Sequence, residues 1–251
     1  MGRHAKAAVT ALGALLLVLI GGCGSMGGIH QADAFGRSKT YAVVSVVASE
    51  KVGCSDIGGN PCNGGVLGLV NTVANSNAYS ENAQEVLEST YPAVLQALRS
   101  SPNLRIVPDV KAQRVYRDTP ADEQPSGMMS ARYAVAKGYK YFSDEKLARL
   151  ARDLKVDGVI TVWLSYTAAR SGVQVVGLGG GHQAVTNVMV TAVDKNGKKV
   201  WFDHAIGHSD DSAGTLAGTV NFPKLRPMFG DATAKAARQI MASFDQKMRK
   251  M

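Results

Sequence analysis

The stretch Ala148-Arg-Leu-Ala-Arg-Asp-Leu-Lys-Val-Asp-Gly-Val-Ile-Thr-Val-Trp-Leu-Ser-Tyr166 decides the fold. Its first half, with the preceding Leu147, places Leu147, Leu150, Ala151 and Leu154 at i, i+3, i+4 and i+7, the period of one helix face. Ser143-Asp144-Glu145 supplies the opening signal for that helix, and Asp157-Gly158 its end. The second half, Val159 to Tyr166, is a continuous β-branched and aromatic run that reads as a strand buried on both faces. A helix that hands over directly to a buried strand is the building unit of α/β proteins.

Reading outward, Tyr41 to Ala48 is a second run of the same buried type. A helix from Ser80 to about Arg99 is expected, with Ala83, Val86, Leu87, Val94, Leu95 and Leu98 on one stripe and Pro92 kinking or splitting it. Leu104 to Val107 reads as a short strand, and residues 108–142 are mixed. Residues 49–79 are rich in Gly, Asn and Ser. Val66, Leu67, Val70, Val73 and Ala74 fit either a short helix or, the preferred reading, a loop packed on the core. Val185–Val193 and Val200–Ile206 flank Asp194-Lys-Asn-Gly-Lys198, where Asn196-Gly197 signals a hairpin because both residues tolerate positive φ. A last helix, capped by Asp231, carries Ala237, Ile240, Met241, Phe244 and Met248 on one side. The fold class is therefore α/β, a single domain with a mixed β-sheet and helices packed on it.

The amino terminus sets the cellular context. Arg3, His4 and Lys6 precede a mostly apolar run from Ala7 to Ile20, then Gly21-Gly22-Cys23. The run is short for a membrane span but suits a secretory signal. Small residues before a cysteine resemble the bacterial lipobox, in which the thiol takes a diacylglyceryl group and the signal is cut before that cysteine; an ordinary secretory signal is the alternative. Two or three acyl chains hold a protein almost permanently, at about 0.8 kcal/mol per buried CH₂. The expected organisation is a signal peptide over 1–22, a lipidated flexible tether over 23–39 and the domain over 40–251. Gly24 stands where an Asp retains enteric lipoproteins at the inner membrane, which implies the outer membrane, facing the periplasm.

The formal charge of +8 includes Arg3 and Lys6. An exported basic chain meets anionic headgroups or acidic envelope proteins rather than nucleic acid. Cys54 and Cys62 remain once Cys23 is assigned. In an oxidising compartment they read as a disulfide, closing a loop for roughly 2.5 kcal/mol, with free thiols or a metal as the alternatives.

The strand at 41–48, the unit at 148–166 and the hairpin Val185-Thr-Asn-Val-Met-Val-Thr-Ala-Val-Asp-Lys-Asn-Gly-Lys-Lys-Val-Trp-Phe-Asp-His204 together resemble a group of envelope lipoproteins. The group includes the curli-secretion channel lipoprotein (CsgG), the lipoprotein activators of penicillin-binding proteins and the amino-terminal domain of TolB. The resemblance spans roughly residues 40–250 and rests on "Leu-x-Val-Asp-Gly" and "Val-Asp-x-x-Gly-Lys-x-Val-Trp". It implies a TolB-like or CsgG-like sheet and an envelope role. The short, Pro-free tether departs from the long Pro-rich tethers of the activators. A channel protomer needs two membrane hairpins. Val173–Leu178 with Val185–Val193 would supply one through Gly177–Gly181, and residues 64–79 part of another.

Catalytic motifs are absent from the sequence. Gly177-Leu-Gly-Gly-Gly181 lacks the spacing of a phosphate loop and reads as a hairpin tip. Asp203, His204, His208, Asp210 and Asp211 have metal-ligand chemistry, but about 13 Å of strand would separate the two histidines, so a solvated strand end is expected. Arg132, Tyr133, Lys137, Tyr139, Lys140, Tyr141 and Phe142 interleave charge with aromatics, the composition of a contact surface; the alternative is rings in the core and lysines in water. The expectation is a non-enzymatic protein without cofactor, metal or small-molecule substrate. It would bind envelope proteins or its own copies as an assembly or accessory factor, or else form part of a secretion channel.

Overall fold

Every strand of the described residues joins one mixed sheet. The computed structural model describes residues 28–36, 38–55, 81–122, 132–171, 181–214 and 220–250. In chain order the elements are β1 (Gly28–Ile29), a 3-10 turn (Ala32–Ala34), β2 (Thr40–Ser49), β3 (Gly53–Ser55), α1 (Gln84–Ser100), β4 (Arg105–Ile106), α2 (Asp109–Tyr116), β5 (Tyr133–Val135), α3 (Asp144–Asp153), β6 (Gly158–Ser171), β7 (Gly181–Asp194), β8 (Lys199–Gly214), α4 (Phe222–Leu225) and α5 (Met228–Lys250). The sheet order is β1-β8-β7-β6-β2-β4, with β3 beside the outer half of β6 and β5 beside the end of β2. β2 and β6 are parallel, whereas β6, β7 and β8 form an antiparallel meander.

The deciding unit folds as α3 followed by β6. Leu147, Leu150, Ala151 and Leu154 are buried against Ala42, Val44, Val159 and Val193, worth on the order of 1.5–3 kcal/mol for each leucine. Helix α3 stops before Asp157-Gly158. Lys155 takes the left-handed turn at φ +54°, a conformation that costs an L-residue roughly 1 kcal/mol. Lys155→Gly is therefore expected to raise stability by about 0.5–1 kcal/mol in urea unfolding. Asp157 and Gly158 serve the sheet instead. The Asp157 carboxylate accepts the Thr40 amide at 2.9 Å, fixing the start of β2. A Cβ on Gly158 would lie 2.5 Å from the Tyr41 ring and 2.6 Å from the Val193 carbonyl.

The opposite face carries the larger core. Val86, Leu87, Val94, Leu95 and Leu98 of α1 and Ile240, Met241 and Phe244 of α5 cover Val43, Val162, Leu164, Val188 and Val190. Helix α1 begins later than expected, at Gln84, whose amide is taken by Asn82 Oδ1 at 2.8 Å. It runs through Pro92 unbroken; Pro92 is exposed, and the carbonyl that loses a partner belongs to half-buried Glu88. Helix α5 starts at Met228, upstream of its expected cap. Asp231 instead accepts the Asp210 amide of β8 at 3.0 Å.

Several short elements lie outside the sequence expectations, among them α2 and β5. Helix α2 buries only Ala112 and Tyr116, and β5 adds three residues to the edge of β2. The hairpin turn also differs from the expected pair of positive-φ residues: Gly197 alone has one, at +85°. The Asp194 carboxylate takes the amides of Asn196 and Lys198 at 2.9 and 2.8 Å.

The larger correction concerns the stretch expected as a flexible tether over 23–39. From Gly28 onward its described residues belong to the fold. β1 pairs with β8 at Phe202 and Trp201. Phe35 is buried, stacked on Tyr41 at 5.1 Å and edge-on to Phe244 at 5.1 Å. The Tyr41 hydroxyl donates to the Ala34 carbonyl at 3.0 Å. Two apolar side chains, Ile29 and Phe35, thus convert a small polar segment into an edge of the sheet.

Candidate functional site

The sheet has one incompletely covered face. Helices α2 and α3 shield it only where β2, β6 and β7 meet near Val44, Val159 and Val193. Beyond that point the register lines up four rows across β6, β7 and β8: Thr161–Thr191–Phe202, Trp163–Met189–His204, Ser165–Asn187–Ile206 and Thr167–Val185–His208. All of these are half-buried or exposed, while their alternating neighbours Val162, Leu164, Tyr166 and Val188 are fully covered by α1 and α5. The sequence reading of β6 as buried on both faces therefore holds only at its start. A bulge at Val43/Ser45 in β2 marks the place where the covered region ends.

The face is mixed in character, which suits a surface exposed in the free protein and covered in a complex. Ile206 is 51% exposed. Trp163 meets Tyr133 edge-on at 4.5 Å, and Tyr133 meets Tyr141 at 5.3 Å. This half-buried aromatic trio, with exposed Arg132 at its rim, has the composition of an interface hot spot.

The seven residues singled out for contact therefore divide. Arg132, Tyr133 and Tyr141 lie at the open face. Tyr139 and Phe142 are core: Tyr139 meets Tyr91 at 5.9 Å and Phe142 meets Tyr116 at 5.8 Å. Burial first, then Asp109, pushes the Tyr139 phenol far above the usual tyrosine range. Lys140 donates to the carbonyls of Tyr116, Arg117 and Thr119 at 3.3, 2.5 and 2.7 Å, closing the end of α2. Lys137 is exposed, and its backbone amide donates to Glu88. Trp163, the strand member of the trio, was missed because the unbroken run around it hid the alternation. Its signal lay in Thr161 and Ser165, the polar residues two positions to either side of it on the same face of the strand.

Other candidates resolve into structure. Asp203 is 1% exposed, and one of its oxygens lies 3.2 Å from Lys247 Nζ and 3.1 Å from Ser243 Oγ. His204 sits on the opposite side of β8 beside Phe202, and His208 is exposed. Asp210 pairs with Lys235 at 2.7 Å. Among the described residues no three His, Cys, Asp or Glu side chains converge as a metal site. A cleft of about 160 Å³ is lined by Asp33, Lys39, Asp157, Asp194 and Lys195, but Asp157 and Asp194 are engaged with backbone amides as described. Cys54 lies on β3 opposite Ala168 of β6; Cys62 and Cys23 fall outside the described residues, as do residues 1–22, 64–79 and most of the 177–181 glycine run.

The β6–β7 hairpin pairs along its whole described length, to Ser171 opposite Gly181. It is flanked by strands of its own chain, β3 on one edge and β8 on the other. His182, near its end, is 3% exposed. Burial first, and then Arg170, hold its imidazole below the usual histidine range. A lowered histidine favours the folded state only while neutral. Stability is thus expected to fall as pH drops below the ordinary value of about 6.5, until the folded-state pKa is passed. The check is urea unfolding between neutral and mildly acidic pH, where His182→Gln should flatten that part of the profile.

No protein-family profile matches the chain, and no curated protein sequence does. Among solved structures, the lipoprotein GNA1162 from Neisseria meningitidis is 13% identical with a TM-score of 0.31, covering 69% of this chain and 83% of that one. The hypothetical protein CT253 from Chlamydia trachomatis is 9% identical with a TM-score of 0.34, covering 85% of this chain and 99% of that one. Neither likeness is close enough to bear on activity or partners.

Proposed function

We propose that this chain is a non-catalytic lipoprotein of the bacterial outer membrane whose α/β domain binds another envelope protein, or its own copies, through the open face of its sheet. The observation that carries the reading is the half-buried Trp163–Tyr133–Tyr141 trio on the part of the sheet face that lies beyond the cover of α2 and α3. The lipobox-like segment ending at Cys23 supplies the location, and the resemblance to envelope lipoproteins of assembly and accessory type agrees with it. No helix of the described residues is long and apolar enough to cross a membrane, and a lipid at Cys23 would make one unnecessary. The Cys54–Cys62 disulfide belongs to the same reading, as an extracytoplasmic staple beside β6.

The channel alternative needs a β6–β7 hairpin with an apolar outer face. The open side of that hairpin carries Ser165, Thr167, Gln183 and Asn187, which favours protein contact over lipid.

The test is crosslinking of detergent-extracted full-length protein with a photoreactive residue at Tyr141. A discrete adduct, a partner or a dimer, is expected, and Trp163→Ala should reduce it about ten-fold, as loss of a hot-spot side chain does. A protein that stays monomeric and yields no adduct would contradict the reading.

A further inference from the structure

The amino-terminal segment fixes which side of the domain can face a bilayer. Cys23 precedes Gly28, the first residue of β1, by five Cα steps, so its Cα lies within about 18 Å of Gly28 whatever path the chain takes. Gly28 is pinned against Phe202 at the outer edge of β8. Three residues further back along β8, about 10 Å away, is Lys199, whose ammonium sits 5.9 Å over the Phe202 ring.

Around this edge the fold gathers exposed cations from two elements distant in sequence. The β7–β8 turn presents Lys195, Lys198 and Lys199, all exposed. Helix α5 runs down the sheet from Ala232, opposite Gly207, to Lys247, beside Asp203. It also reaches β1, and it ends on exposed Arg249 and Lys250 at the same edge. Basic residues suit a helix carboxyl end in their own right, but the turn lysines have no such explanation. The carboxylates at this end leave a cationic excess: Asp203 is buried with Lys247, Asp157 lies beside Lys39, and Asp194, whose carboxylate accepts the turn amides, and exposed Asp33 stand against five exposed cations.

We propose that the β1–β8 edge, with the 195–199 turn and the end of α5, is the membrane-facing surface of the domain and binds anionic phospholipid headgroups. This rests on the Cys23 lipoprotein reading and adds an orientation to it. The bilayer takes the basic edge. The Trp163–Tyr133–Tyr141 trio, beginning two strands or roughly 10 Å inward, is left accessible to protein.

The test is lysine acetylation footprinting by mass spectrometry of the full-length protein. It compares vesicles of phosphatidylethanolamine with phosphatidylglycerol, neutral phosphatidylcholine vesicles and detergent micelles. Lys195, Lys198, Lys199 and Lys250 are expected to react about five-fold more slowly on the anionic vesicles than in micelles, the factor expected from headgroup attraction of one cation. Exposed Lys51 and Lys224, beyond the far end of β2 and on α4, should be unchanged. Equal slowing at all six lysines, slowing confined to Lys51 and Lys224, or no difference between anionic and neutral vesicles would overturn the proposal. The mass of the Cys23 peptide, read in the same digest, separates the two failures. A lipidated Cys23 with any of those patterns removes only the orientation, whereas an unmodified Cys23 removes the anchor and the orientation with it.

Discussion

Gly207→Ala is expected to cost about 3 kcal/mol or more, the range of severe overpacking, and to leave little folded protein at physiological temperature. Gly207 lies in β8 under α5, and an added Cβ would fall 1.9 Å from the carbonyl oxygen of Ala232 and 2.9 Å from the Ala236 nitrogen. Backbone, not a flexible side chain, occupies that space, so α5 as a whole would have to rise off the sheet. The contact is built for closeness: Ala232, Thr233, Ala236 and Ala237 form the helix side of it, and the Thr233 hydroxyl meets that of buried Thr186 at 3.1 Å. Lifting the helix would open this seam and the packing of Ile240 and Phe244 beyond it. Gly214, on the same strand with open space around it, is the control. Gly214→Ala should shift urea unfolding by no more than about 0.5 kcal/mol.

The second large effect is electrostatic. Lys247→Met is expected to destabilise by roughly 2–4 kcal/mol, because it strands the carboxylate of Asp203 at 1% exposure with only hydroxyl and amide partners. Asp203→Asn should cost less. The Lys247 side chain is 29% exposed and can turn its charge to water. The double variant should be more stable than Lys247→Met alone, which is the signature of an uncompensated buried charge rather than of lost packing. Urea unfolding of the three variants gives the order directly.

How much of this was legible depended on how each element meets its neighbours. The α3–β6 unit, the α1 stripe and the β7–β8 hairpin could be read because their apolar periods are long and each decides its own burial. Helix α2 could not, since two side chains in eight residues make no period. The docking of residues 28–36 was hidden for a related reason: Phe35 is a lone aromatic in a polar stretch, and only the gap between Tyr41, Trp201 and Phe244 explains its burial. Pro92 misled because α1 continues through it with the loss of one hydrogen bond, that to the Glu88 carbonyl. At the candidate site the aromatic composition of 132–142 was visible, but composition does not sort Tyr133 and Tyr141 from Tyr139 and Phe142. That sorting comes from α1, whose Tyr91 meets Tyr139, from α2, whose Tyr116 meets Phe142, and from the end of the cover at the β2 bulge, short of Trp163. Lys140 is the clearest case of a residue whose charge suggested contact and whose geometry gives it to three carbonyls of its own chain.

In the proposed function, a lipid at position 23 would bring the mixed-sheet domain to a membrane. Intact-mass and peptide mass spectrometry of the protein purified from fractionated cells measures it directly. The expected result is a mature chain that begins at Cys23, carries two or three acyl chains and sediments with the outer membrane. An unacylated Cys23 on a chain recovered in the soluble fraction would contradict it.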